Sequence, residues 1–201
     1  LNLVSAVNLI NKTDFAEVAV CMHSSQEDTH CSILQGTKVR KFHTSRRDAF
    51  KSVNAKPFAL VYHDEGFDLL RKDYKKINRD SKLNLKLFNP KIKVGFLKSH
   101  PNMSSEEIKF FSKFDGLVIE GTGMGHFPII KSDKLTSENA KILLELHKLA
   151  EKMPVVMTSQ CIFGRINMNV YTPGRKLQDI GILGNLADMT PETAYIKLAW
   201  L

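Results

Sequence analysis

The sequence predicts an α/β protein whose C-terminal part, from about residue 91 to 201, is a small parallel sheet covered by helices. Two observations carry that expectation. Apolar runs at 92–97, 117–119 and 154–158 alternate with helical patterns and show no hairpin signal between them, the order of parallel strands joined by helical crossovers. Each run also ends in polar residues: Ser99-His100-Pro101, Glu120-Gly121-Thr122 and Ser159-Gln160-Cys161. In an open α/β sheet the carboxyl ends of the strands are where ligands sit. At 201 residues and 43% hydrophobic content, the chain has enough apolar mass for one large domain or two small ones.

Taken in order, Leu1 to Ile10 has apolar residues at 3, 4, 7 and 10, the spacing of a helix. The chain starts without Met inside that pattern, so a piece of a longer protein is the expectation. Asp14 to Glu17 is a turn region, and Val18 to Met22 is a buried strand. His23 to Thr29 is polar and consistent with a hairpin that returns as Cys31 to Leu34. The segment 36–50 carries five basic residues in fifteen, and Thr44 or Ser45 is placed to cap a short helix over Arg46 to Phe50. Phe58 to Tyr62 is a further strand. From Arg71 to Lys98 there are ten basic residues against two acidic ones, with the turn signal Asn89-Pro90 near the end. Residues 66–90 therefore read as a basic linker region between residues 1–65 and 91–201.

The second part has clearer punctuation. Glu106 and Glu107 stand in the first turn of a helix over 105–111, where the helix dipole favours negative charge. Leu117 to Ile119 delivers Glu120 and then glycines at 121, 123 and 125. Glycines so placed bring backbone close to a ligand or a neighbouring subunit and admit positive φ. Their spacing is neither a dinucleotide fingerprint nor a P-loop. Thr136 to Asn139 precedes a long amphipathic helix through Ile142, Leu143, Leu146 and Leu149, and Thr193 to Leu201 is a closing helix.

The formal charge of +8 favours acidic partners and permits contact with nucleic acid. Few aromatic residues interleave with the lysines of 71–98, which argues against a stacking groove for single strands. Three cysteines, at 21, 31 and 161, fit no disulfide framework and suit a reducing compartment. Cys21, His23, His30 and Cys31 lack the spacing of a zinc site, so no metal is expected. With no apolar run near 18 residues and no leader, a cytoplasmic location is the expectation.

Several residues carry candidate chemistry. Lys41 lies among Arg40, Arg46 and Arg47; in a compact cluster those charges lower its pKa and fit it to relay a proton from a hydroxyl nucleophile. Glu120 suits a substrate ammonium or an arginine, and Thr122 follows it on the same strand tip. His126 closes the glycine loop, and Ser159 and Gln160 end the third strand. Asn167 and Asn169, with Tyr171 and Arg175 after them, form a polar segment without helical or strand period. Such segments line sites, interfaces or plain surface.

Four stretches together carry a resemblance: Ile119 to His126, Pro154 to Cys161, Gly164 to Tyr171 and Asp188 to Tyr195, with the basic segment 36–50 beside them. They resemble the asparaginase-like family that includes the D-type subunit of the archaeal glutamyl-tRNA(Gln) amidotransferase. The resemblance implies that residues 1–65 are the tail of an asparaginase-like N-terminal domain and that 91–201 is the family's small C-terminal α/β domain, which contributes to the site across a subunit interface. It implies that Lys41 is the family's catalytic lysine, working with a Thr-Asp pair to activate a hydroxyl. That hydroxyl attacks a side-chain amide, giving an acyl-enzyme and ammonia. The threonine motifs, Thr-Gly-Gly-Thr and Gly-Thr-Asp-Thr, are absent from these 201 residues, so this stretch alone is expected to be inactive. Implied partners are a second copy in a homodimer within a heterotetramer, the amidotransferase's E-type subunit with its ATP and Mg, the mischarged Glu-tRNA(Gln), and glutamine or asparagine as amide donor. No cofactor is implied for this chain itself. A free L-asparaginase and a non-catalytic RNA- or protein-binding domain are the alternatives.

Overall fold

A computed structural model describes residues 1–63 and 66–201, which fall into two units, Leu1–Leu85 and Lys86–Leu201. In the first, helix α1 (Asn2–Lys12) buries Ser5 and Leu9. Strands β1 (Ala19–His23) and β2 (His30–Gln35) form the expected hairpin. A separate two-stranded ribbon follows, β3 (Val39–Lys41) against β4 (Phe50–Ser52), and then β5 (Ala59–Tyr62) and β6 (Gly66–Leu69). The larger sheet is antiparallel in the order β1-β2-β5-β6. Its core gathers Leu9, Phe15, Ile33, Phe58, Ala59 and Val61, with Phe15 meeting the Phe58 ring edge-on.

Two expectations are corrected here. The short helix over Arg46 to Phe50 is absent: His43 Nδ1 accepts the backbone N–H groups of Ser45 and Arg46, and Arg46 folds onto Asp48. These local bonds hold a turn, which frees Phe50 to join β4. Strand β6 lies in the stretch assigned from sequence to the linker region. Its sequence, Gly-Phe-Asp-Leu, is too short for its period to be legible, and pairing with β5 from Ala59↔Leu69 to Tyr62↔Gly66 settles it.

In the second unit, β7 (Val94–Lys98), β8 (Gly116–Gly121) and β9 (Val155–Ser159) form the expected parallel sheet in the order β7-β8-β9. Helices α2 (Ser105–Phe110, continued by a single 3₁₀ turn over Phe111–Lys113), α3 (Ser137–Lys152), α4 (Thr172–Asp179) and α5 (Pro191–Trp200) complete it. Both faces of β8 are covered. Leu117 and Ile119 join Ile142, Leu146 and Leu149 of α3 in one core; Val118 joins Ala194 and Ala199 of α5 in the other. Two-sided burial is why this strand reads as an unbroken apolar run. Each of those buried Leu, Ile and Val side chains contributes about 1.5–3 kcal/mol.

Helix α4 carries Pro173 and Gly174 in its first turn. Both are at home there. Proline suits the first turn of a helix, and a Cβ on Gly174 would stand 2.4 Å from the Met168 carbonyl oxygen.

Helix α2 is started by a capping box in which Ser104 and Glu107 bond reciprocally. It is tied to α3 through Glu138, which accepts the Ser105 hydroxyl at 2.6 Å and backbone N–H at 2.9 Å and pairs with Lys141 at 2.9 Å. The Ser105 hydroxyl foremost, then its N–H and Lys141, hold the Glu138 carboxyl at about 2, below its ordinary 4.5. A carboxyl depressed by folding stabilises above its unfolded value, and that contribution is lost as pH falls through the folded one. Glu138→Gln is therefore expected to be less stable than wild type at neutral pH, with the difference shrinking to nothing between about pH 4.5 and 2. Denaturant midpoints followed through Trp200, the single tryptophan, report it. A difference that persists unchanged at pH 2 would contradict the assignment.

Candidate active site

Lys41 ends strand β3 with its side chain exposed and its Nζ 6.0 Å from the centre of the Phe50 ring, the residue opposite it in the ribbon. Among the described residues no carboxylate pairs with Lys41. Its basic neighbours differ. Arg46 makes a two-pronged bond to Asp48, Nε at 2.8 Å and Nη2 at 3.0 Å. Arg47 bonds Asp28 at 2.9 Å, and Asp28 also meets His23 Nε2 at 2.9 Å. Arg40 lies opposite Lys51 in the ribbon. From sequence, Arg40, Arg46 and Arg47 are expected to disfavour the charged form of Lys41 if the cluster is compact; in the structure Arg46 and Arg47 are bonded to Asp48 and Asp28.

The second set of predicted residues meets at the carboxyl ends of the parallel strands. Glu120 lies near the end of β8 with only 9% of its side chain exposed, and Lys98 Nζ approaches it at 3.5 Å from the paired position on β7. Gln160 fastens the three strand tips. Its side-chain amide donates to the carbonyls of Ser99 and Glu120, and its backbone N–H donates to the Gly121 carbonyl. Thr122 is exposed and opens a tight turn in which its carbonyl accepts the N–H groups of Gly125 and His126. Gly123 and Gly125 take φ of +50° and +99°, which the turn requires. Ser159 donates its hydroxyl to the Gly123 carbonyl, fixing that turn to β9.

His126 is half-buried, packs edge-on against Tyr171 with ring centres 5.2 Å apart, and keeps a buried Nε2 with no hydrogen-bond partner among the described residues. A buried ring nitrogen left without a bond is costly unless something completes it. Asn167 donates its N–H to the Met124 carbonyl and so also borders the turn. Asn169 does not join this group: its side-chain oxygen accepts from Gln178 and Asn185 and its carbonyl from Arg175, so it braces α4. Glu120, Thr122, His126, Ser159, Gln160 and Asn167 thus share one rim. Lys98 and Ser99 belong to the same rim; Ser99 is buried with its N–H on the Glu120 carbonyl.

The four residues weighed for zinc do not converge. His23 is engaged by Asp28 and His30 by Thr29, while the thiols of Cys21 and Cys31 donate to the main-chain and side-chain oxygens of Asn2. Burial and the neighbouring thiol push Cys21 up to about 12, an inert thiol. Among the described residues no group of three or more His, Cys, Asp or Glu is placed to hold a metal ion, and no helix is long and apolar enough to cross a membrane.

Comparison with known proteins adds the following. Residues 93–201 match the family model of the glutaminase/asparaginase C-terminal domain, and residues 1–74 match the N-terminal asparaginase model. The D-type subunit of glutamyl-tRNA(Gln) amidotransferase from Methanobrevibacter smithii is 43% identical over the whole of this chain, and that of Pyrococcus horikoshii is 44% identical. In each case the match takes in 43% of the relative, so the chain spans less than half the length of these proteins. Among solved structures, the thermostable L-asparaginase from Thermococcus kodakarensis superposes with a TM-score of 0.81 at 28% identity, covering 99% of this chain and 54% of that one. The L-asparaginase I from Vibrio cholerae, at 24% identity and a TM-score of 0.68 over 84% of this chain and 48% of its own, shares the fold. On the match of its second unit to the family model, with the first unit in agreement, this chain belongs to the glutaminase/asparaginase family.

Proposed function

We propose that this chain is part of an amidohydrolase subunit that releases ammonia from glutamine for the tRNA-dependent conversion of Glu-tRNA(Gln) to Gln-tRNA(Gln). The observation that carries the reading is the similarity along the whole chain to the D-type subunits of that amidotransferase. Within the chain, the residue set is compatible with it. Amide hydrolysis needs a hydroxyl made nucleophilic and a group to take its proton. Lys41 is an exposed amine held by a short ribbon, while Arg46 and Arg47 beside it are committed to carboxylates. The hydroxyl itself lies outside these 201 residues. A lysine with no aligned hydroxyl has nothing to deprotonate, so the isolated chain is inactive. Ammonia release by the isolated chain that disappeared in Lys41→Ala would contradict this.

The rim around Glu120 completes the site from a neighbouring subunit in a homodimer, where Glu120 meets the ammonium of the bound amino acid and His126 Nε2 gains the partner it lacks. Ammonia passes to the E-type partner, which activates the tRNA-bound glutamate with ATP and Mg; the assembly is a heterotetramer of cytoplasmic location. The single experiment is to follow glutamine amide nitrogen into Gln-tRNA(Gln) in the complete system.

A second reading, a free L-asparaginase, is favoured by the superposition on the Thermococcus enzyme. It requires asparagine hydrolysis independent of tRNA and of any partner. A direct RNA role for the basic segment is less favoured. Arg71 is committed to Asp73 and stacks over Phe58 with 4.4 Å to the ring centre, and Lys76 pairs with Asp14 at 3.0 Å. Two of those cations thus brace the first unit.

A further inference from the structure

We propose that Asp48 is a positioning residue for Lys41, the hub that fixes the β3–β4 ribbon to the loop between β1 and β2. The inference rests on the reading of Lys41 given above and extends it to a residue not otherwise assigned a role. In the turn 43–48 every residue is exposed except Asp48, whose side chain is 9% exposed. A buried carboxylate is tolerated only where it is paired and hydrogen-bonded. Asp48 accepts Arg46 Nε at 2.8 Å, Arg46 Nη2 at 3.0 Å and Lys51 Nζ at 3.0 Å. Arg46 first, then Lys51, hold its carboxyl well below the usual carboxylate range, so the hub stays charged at neutral pH.

The bonds lead outward from there. Lys51 Nζ also donates to the Ser24 carbonyl at 3.1 Å, and Arg47 reaches Asp28 at 2.9 Å; both acceptors lie in the β1–β2 loop. Phe42 N–H donates to the Ala49 carbonyl at 2.7 Å, closing the ribbon between the hub and Lys41.

This support is needed because the ribbon is weak by itself. Strands β3 and β4 have three residues each, and a lone two-stranded ribbon is marginal in water. Asp48 draws Lys51 into a bond on the turn side of the ribbon. The end of β3 is then fixed by the turn, and with it the Lys41 amine. A displacement of about 1 Å in a reacting group costs on the order of 100-fold in rate.

The test has two arms. In the complete protein, Lys41 is observed through 13C-methylated lysine signals, and the ribbon through hydrogen exchange at Phe42 N–H and at Val53 N–H, which donates to the Lys38 carbonyl, in wild type, Asp48→Asn and Asp48→Glu. The expected result is faster exchange at both amides and a moved Lys41 signal in Asp48→Asn, largely restored in Asp48→Glu. In the complete protein, Asp48→Asn is expected to lower kcat for ammonia release by about 10–100-fold with KM little changed. A folded Asp48→Asn whose Lys41 signal and ribbon exchange match wild type overturns the proposal. A disturbed ribbon with undiminished ammonia release also overturns it as a claim about catalysis: Asp48 is then a hub of the ribbon alone, and Lys41→Ala, if equally active, removes Lys41 from the reaction. Should Asp48→Asn fail to fold, Lys51→Met, which keeps the packed stem and removes the bonds to Asp48 and Ser24, gives the same readouts. Wild-type exchange in that variant overturns the proposal equally.

Discussion

Lys41→Ala in the complete protein is expected to lower glutamine-dependent ammonia release by about 10²–10⁴-fold, the contribution of a positioned proton-transfer group. The same change is expected to leave stability within about 0.5 kcal/mol of wild type, because the side chain is exposed and, among the described residues, makes no ion pair. The combination distinguishes loss of chemistry from loss of fold. Arg46 and Arg47 are a different case. They hold Asp48 and Asp28, so replacing either loosens the turn and lowers activity through geometry. Ammonia release in a discontinuous assay, with circular dichroism on the same samples, separates the cases. Retained activity in a folded Lys41→Ala protein would show that another group takes the proton.

Gly184→Ala is expected to be the most damaging single-methyl change in the second unit. Gly184 has φ +105°, and a Cβ there would stand 2.3 Å from the Met157 carbonyl oxygen. The adjoining residue Leu183 bonds both ways to β9, donating to Val155 and accepting from Met157, so the segment acts as a further edge to the parallel sheet. The left-handed conformation costs about 1–2 kcal/mol for an alanine, and forcing the backbone off β9 adds about 1–3 kcal/mol. Gly123→Ala is the control. Gly123 also has positive φ, +50°, but nothing lies within 4 Å of the new Cβ, so only the conformational cost applies. Urea unfolding followed through Trp200 is expected to place Gly184→Ala well below Gly123→Ala. Equal midpoints would mean that the 182–184 segment is not held against β9 as described.

The parallel unit was legible because its central strand is buried on both faces and its long helix has a regular apolar stripe: Leu117 to Ile119 and Ile142 to Leu149 signal themselves. The ribbon was not, because a three-residue strand has no period to read and Arg46 and Arg47 suit a helix as well as a turn. What decides that segment is His43 accepting two backbone N–H groups and Asp48 gathering two cations. Such bonds between close but non-periodic residues leave no pattern in the sequence. At the candidate site the strand-end positions of Glu120, Ser159 and Gln160 followed from the polar tips. Gln160 as the fastening of three strands did not, since its partners are backbone carbonyls on strands distant in sequence. His126 was singled out for its place in the glycine loop; that its Nε2 is buried and without a bond is visible only in three dimensions.

The central claim is tested most directly by tracing nitrogen. The complete protein, with the proposed amidotransferase partner, ATP, Mg and Glu-tRNA(Gln), is supplied with glutamine labelled with 15N at the amide, and the aminoacyl group recovered from tRNA is analysed by mass. The account predicts 15N in the amide of tRNA-bound glutamine, lost in Lys41→Ala. Absence of label from the tRNA, with asparagine hydrolysed at full rate when tRNA and partner are omitted, would contradict it and establish the free asparaginase instead.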